Sequence, residues 1–198
     1  GKAAGLRERV ALANAFSARS LNPRLVLATC AGSSATARMP HVRQVCFSHG
    51  KESGPWGTKI RVLADVARDL GWSVESIDYQ GMDDPDARVR KLLDWGRGQV
   101  SPPVHVGSSM GGYVAAEAAA QRPARGLFLL APAFYVPGYE DRVPEPTGCP
   151  TTIVHGWRDE VIPWAGSVRF AARCNARLLL IDGDHRLSAA LPEIEVEY

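Results

Sequence analysis

From residue 39 onward, short apolar runs rich in β-branched residues alternate with longer stretches whose apolar positions recur every three to four residues. The short runs predict strands at His41–Ser48, Ser73–Asp78, Pro103–Gly107, Leu127–Ala131, Thr151–His155 and Arg177–Ile181. Trp56–Leu70 sets Ile60, Leu63, Val66, Ala67 and Leu70 on one helical face, and Gly71 follows where a left-handed cap is wanted. Asp84 and Pro85 read as an N-cap and a first-turn proline, opening a helix that runs to about Trp95. Met110–Gln121 is an alanine-rich helix able to lie close against a sheet, and Pro163–Cys174 is another helix. Strands separated by helices predict βαβ units with right-handed crossovers, hence an α/β fold with a mostly parallel central sheet.

This alternation does not extend before Met39. Residues 1–38 are rich in Ala, Arg and Ser and carry six basic residues and one acidic residue, net +5. The other 160 residues carry 17 basic and 20 acidic residues, net −3, so the overall charge of +2 hides an asymmetry. We expect residues 1–38 to be a weakly ordered or leader-like basic extension and residues 39–198 to be the functional domain. Two other readings compete: the functional domain starts at Met39 and residues 1–38 lie outside it, or Leu6–Ser20 is a packed helix and Arg24–Thr29 an extra strand. The basic residues are scattered and no aromatic ladder accompanies them, which argues against a nucleic-acid partner. The longest apolar run, Leu127–Val136, is interrupted by Pro132 and falls short of the roughly 18 residues of a membrane span. Cys30, Cys46, Cys149 and Cys174 have no Cys-x-x-Cys spacing, so free thiols in a reducing cytoplasm are expected.

Chemistry-bearing residues follow the strand-like runs. Gly107-Ser108-Ser109-Met110-Gly111 has the Gly-x-Ser-x-Gly pattern of a sharp strand-to-helix turn that pushes its central serine out of the sheet. Ser109 would also stand at a helix N-terminus, where the dipole favours developing negative charge. The competing reading of this pentapeptide is a glycine-rich turn without chemistry, and Ser108 has the right hydroxyl in the wrong register. Asp159 follows the fifth run; alone it would read as a helix cap, with Glu160 and Asp184 as other candidate acids. His185 follows the sixth run, where a loop can carry its ring back to Ser109. His41 and His105 lie in strand-like runs, and His49 and His155 in His-Gly turns where bonding to backbone is the expected role. The histidines lack the i, i+2 or i, i+4 spacing of a zinc site, so no metal and no organic cofactor are expected.

The order serine, acid, histidine resembles the triad of the α/β-hydrolase superfamily, and the likeness extends from Val42 to His185. His155-Gly156-Trp157-Arg158-Asp159-Glu160-Val161-Ile162-Pro163 resembles the His-Gly-x-x-Asp-x-x-Val-Pro stretch that carries the acid in many members. His49-Gly50-Lys51-Glu52-Ser53-Gly54-Pro55 is similar to the oxyanion loop of small, lidless bacterial serine esterases. The resemblance implies a three-layer fold without a cap domain, with Ser109 as nucleophile, His185 as base and Asp159 as orienting acid. The backbone N–H groups of Lys51 and Met110 would form the oxyanion hole. It further implies cleavage of small carboxylic esters or thioesters through an acyl-enzyme. A binding or scaffold protein on the same fold, or an amidase or acyltransferase using the same triad, is the alternative. Only a short segment, Phe134–Pro150, separates the fourth and fifth strands, so the site is expected to be open and to favour short acyl groups. Phe134, Tyr135, Val136 and Tyr139 are expected to supply its apolar wall, with Trp56 and Trp157 nearby.

Overall fold

The computed structural model describes residues 43–137 and 140–198; the expected extension over residues 1–38 and Tyr139 lie outside them. Six strands form one sheet: β1 (Gln44–Ser48), β2 (Ser73–Ile77), β3 (Val104–Ser108), β4 (Gly126–Leu130), β5 (Thr151–Gly156) and β6 (Arg177–Ile181). Their order is β2-β1-β3-β4-β5-β6 and every pair is parallel. The helices are α1 (Thr58–Asp69), α2 (Pro85–Arg97), α3 (Met110–Gln121), α4 (Trp164–Cys174) and α5 (Leu191–Glu197). The α/β expectation and its strand assignments hold, with ends shifted by a few residues. The short helix α5 was not foreseen.

Local chemistry sets the helix ends. The Asp84 side chain accepts from the Asp86 and Ala87 amides at 3.0 and 3.2 Å, capping α2 one residue before Pro85. Gly71, at φ 78°, ends α1: its amide donates to Arg68 O, and the Trp72 amide donates to Ala67 O.

Alternate strand residues face two cores, as period-2 geometry requires. Val45, Phe47, Val106, Phe128, Leu130 and Val154 pack against Ile60, Leu63 and Ala64 of α1 and Ile194 of α5. Cys46, Leu127, Leu129 and Ile153 pack against Val89 and Leu92 of α2, α3, and Phe170 of α4. The result is three layers, with α1 and α5 on one face and α2, α3 and α4 on the other. Right-handed crossovers explain the division. The chain runs outward from β1 to β2 through α1, then reverses across β1 to β3 through α2, so those helices fall on opposite faces. The reversal leaves a switch point between the C-terminal ends of β1 and β3, where an open parallel sheet forms its crevice. The segments after β1 and β3 carry the expected oxyanion loop and nucleophile.

Candidate active site

Ser109 joins β3 to α3 with φ 56° and ψ −123°, a conformation that a side chain rarely adopts. The surroundings over-determine it. The Ser109 amide donates to Leu130 O at 2.9 Å, and its carbonyl accepts from the Gly112 and Ala133 amides at 2.9 and 3.0 Å. A β-carbon on Gly111 would collide with the Ser48 carbonyl at the end of β1, so only glycine lets α3 begin this close to the neighbouring strand. Ser108 is buried at 7% exposure, while Ser109 is half-buried at the crevice. The elbow register therefore presents Ser109.

His185 reaches Ser109 from the turn after β6. Its Nε2 lies 3.1 Å from Ser109 Oγ, and its Nδ1 lies 2.7 Å from Asp159 Oδ2. With Nδ1–H donating to the carboxylate, Nε2 is free to accept the serine proton. The three residues expected from the sequence thus converge. Lys59, at the start of α1, donates from Nζ to the His185 carbonyl at 3.3 Å and ties down the histidine turn.

Asp159 is buried, and its carboxylate is held on both oxygens. Oδ1 accepts the Val161 and Ile162 amides at 2.9 and 2.8 Å. Oδ2 accepts from His185 and, at 3.0 Å, from His155 Nε2. Burial alone would raise its pKa; the Ile162 amide, the His185 ring and the Val161 amide outweigh that and hold the carboxyl below its ordinary range. Glu160 is exposed, and Asp184 Oδ1 accepts the Arg186 and Leu187 amides, so neither takes the acid's place at His185.

His155 does more than the backbone bonding expected of it. Its Nε2 faces two acceptors, Asp159 Oδ2 and Ile162 O at 3.1 Å, and so carries the ring proton. Its Nδ1 then accepts from Ser167 Oγ at 2.7 Å. Burial is the main cause that lowers the His155 pKa, which keeps this ring neutral. The turns that carry Asp159 and His185 are also joined through backbone. The Trp157 amide donates to Ile181 O at 2.9 Å and the Arg158 amide to Gly183 O at 3.0 Å. A β-carbon on Gly156 would strike the Gly183 carbonyl.

The expected oxyanion donors sit at the two neighbouring turns. Met110 opens α3, so its amide has no intrahelical acceptor. Lys51 follows Gly50 in the loop after β1, and its amide donates to no backbone acceptor among the described residues. Both residues line a cavity of about 170 Å³, with Pro85, Tyr113, Ala133, Val136, Asp83 and Arg142. The apolar wall differs from the expected one. Phe134 is buried in the core, stacked on Phe170 at 4.1 Å, and Tyr135 lies under the Arg169 guanidinium. Trp157 pairs with Trp164, and Trp56 lies against Arg68. Among the described residues of the expected wall, only Val136 lines the cavity. Among the described residues no group of three or more His, Cys, Asp or Glu converges as a metal site requires, and no helix is long and apolar enough to cross a membrane.

No family model matches the chain. Among solved structures, it is similar to a protein of the alpha/beta hydrolase superfamily from Xanthomonas campestris pv. campestris. The identity is 36%, with a TM-score of 0.71, over 77% of this chain and 94% of that one. The chain belongs to the α/β-hydrolase superfamily. Est1E from Butyrivibrio proteoclasticus shares the hydrolase fold at 20% identity, with a TM-score of 0.68 over 77% of this chain and 84% of that one. The curated bovine protein named palmitoyl-protein thioesterase ABHD10, mitochondrial, is 24% identical to this chain over an alignment of 204 positions. The match covers 72% of this chain and 67% of the relative.

Proposed function

We propose that this hydrolase is a serine esterase or thioesterase that cleaves small acyl substrates through an acyl-enzyme on Ser109. The observation that carries the reading is the unbroken relay from Asp159 Oδ2 through His185 to Ser109 Oγ, with steps of 2.7 and 3.1 Å. In the first half-reaction His185 Nε2 takes the Ser109 proton as Oγ attacks the acyl carbonyl. The carbonyl oxygen becomes an oxyanion between the Lys51 and Met110 amides, each such donor typically contributing ~3 kcal/mol to the transition state. His185 then protonates the departing alcohol or thiol. Water repeats the sequence on the acyl-enzyme. Asp159 stays ionised, fixes the ring tautomer and stabilises the imidazolium, while the Arg158 and Trp157 bonds keep its turn against that of His185.

The cavity supports short acyl groups. Its volume of about 170 Å³ is small beside the roughly 300–1,000 Å³ of pockets that bury drug-sized ligands. A palmitoyl chain, named for the bovine relative, would leave most of its length in solvent. The same reading assigns the activity to residues 39–198 and keeps the protein in the cytoplasm, where Cys46, Cys149 and Cys174 stay free thiols.

The test is labelling by a fluorophosphonate probe with peptide mapping, followed by a series of chromogenic esters and thioesters. Label on Ser109, lost in Ser109→Ala and kept in Ser108→Ala, with a kcat/KM optimum at short acyl chains, is the expected result. Absent label with absent turnover would overturn the enzyme reading, and a long-chain optimum would overturn the substrate class alone. A chain truncated to begin at Met39 should fold and retain this activity.

A further inference from the structure

We propose that Arg88 is a positioning residue that aims the oxyanion hole from behind. The inference rests on the serine-hydrolase reading above. Arg88 lies on α2 and is 1% exposed, yet no carboxylate forms a salt bridge with it among the described residues. Asp83 acts on it only across a gap, and a buried guanidinium with no carboxylate in contact is costly unless its protons meet acceptors. Here they meet backbone carbonyls. Nε donates to Met82 O at 2.7 Å, and Nη1 donates to His49 O and Gly50 O at 3.2 and 3.3 Å. The Tyr79 ring covers the group at 5.3 Å.

Two of these carbonyls are consecutive in the loop that supplies the Lys51 amide, and the second belongs to the same peptide unit as that amide. A trans peptide is planar, with its C=O and N–H on opposite sides. Fixing the Gly50 oxygen therefore fixes the direction of the Lys51 N–H. Three donors hold that oxygen: Arg88 Nη1, His49 Nδ1–H at 2.7 Å and Ser53 Oγ at 3.5 Å. His49 is itself set by the Tyr79 amide, which donates to its Nε2 at 2.8 Å and leaves the proton on Nδ1. Gly50 itself lies against the serine: a β-carbon built on it would stand 3.4 Å from Ser109 Cβ. The guanidinium thus stands at the oxygen end of the peptide dipole and the oxyanion at its N–H end. A cation there polarises the peptide in the sense that stabilises the anion.

The test compares wild type, Arg88→Met and Arg88→Lys on a short chromogenic ester, on inhibition by a trifluoromethyl ketone, and on thermal unfolding. The ketone adds Ser109 Oγ to its carbonyl and leaves an oxyanion in the hole, so its affinity reports the hole directly. For folded Arg88→Met we expect kcat to fall by roughly 30-fold with KM changed by less than about threefold. Ketone affinity should weaken in parallel, and Arg88→Lys should restore part of both. A folded Arg88→Met with kcat and ketone affinity within about threefold of wild type would overturn the inference. If Arg88→Met does not fold, Arg88→Lys decides: a loss of roughly tenfold in kcat and ketone affinity supports the proposal, and wild-type values for both overturn it. These outcomes require an active wild type that labels at Ser109. Its absence removes the underlying hydrolase chemistry, whereas an active wild type with unaffected Arg88 variants removes only the role of Arg88.

Discussion

The two sides of Ser109 are built to different standards. On the side of β5 and β6 the polar groups are buried and held: Asp159 takes two amides and two imidazoles, and His155 is fully buried with both ring nitrogens engaged. On the side of β1 and α2 the loop after β1 is held from behind by buried Arg88 and His49, but the cavity in front of it opens among solvated charges. Lys51 and Asp83 pair at 3.6 Å with side chains 50% and 82% exposed, and such pairs contribute little. One side can fix proton transfer geometrically, and the other can change its lining without disturbing it. The chemistry is thus read from buried hydrogen bonds, and the substrate from a wall with few constraints.

The sharpest break of this contrast is at the acid. Asp159→Asn removes the charge and favours the wrong tautomer of His185, and the type case for such a change is a serine protease, at ~10⁴-fold in kcat. We expect a loss of that order here, with Glu160→Gln and Asp184→Asn within roughly a factor of three of wild type, since neither faces the ring. Steady-state kinetics on one short ester decides; activity surviving in Asp159→Asn would mean that another group orients His185.

His155→Leu should come next. It deletes one donor to a buried carboxylate and strands the Ser167 hydroxyl, so we expect roughly 10–100-fold lower kcat and an acid limb of the pH–rate profile displaced upward. A profile that keeps its midpoint would assign His155 to stability alone.

Lys59 tests the buried side through pH. Burial brings its pKa down from 10.5 to about 8, against the pull of Asp159 and Asp184. Between those values the unfolded chain binds more protons than the folded one, so stability rises with pH across the window. The difference in unfolding free energy between wild type and Lys59→Met should therefore move in favour of wild type by on the order of 1–2 kcal/mol between about pH 8 and 9.5. Urea denaturation across that range measures it, and a flat difference would show that Lys59 is solvated.

The smallest effect belongs to the open side. Val136→Trp should shrink the cavity and cost the longest accepted ester roughly tenfold relative to acetate, at ~0.8 kcal/mol per methylene no longer buried, with acetate turnover nearly unchanged. A uniform loss across the series would move the acyl group elsewhere.

What was legible in the sequence follows the same division. Ser109, Asp159 and His185 were readable because each lies just past a strand, within a turn whose glycines fix the backbone. Arg88 was not: between Ala87 and the Val89-Arg90-Lys91 stretch it looks like one more solvated charge, and its burial depends on a loop that follows a strand forty residues earlier. His155 had the i, i+4 spacing to Asp159, but only the turn at Trp157 and Arg158, closed by the Asp159 amide on Gly156 O, makes that spacing a contact. Phe134 was read as a pocket wall because it follows a strand end. Its stacking on Phe170 of α4 is a tertiary choice that local pattern does not carry. Helix α5 was missed because it is a single short element of seven residues with no side-chain cap.

The close approach of Gly156 to Gly183 also bears on how the site fluctuates. The amides of Trp157 and Arg158 are held by acceptors from the strand and turn that lead to His185. Neither turn can swing away without breaking bonds to the other, so the turns of Asp159 and His185 should share one opening event rather than two. Amide hydrogen exchange at these positions should then report a common opening free energy. Motion that displaces His185 should therefore carry Asp159 with it and keep ring and carboxylate together.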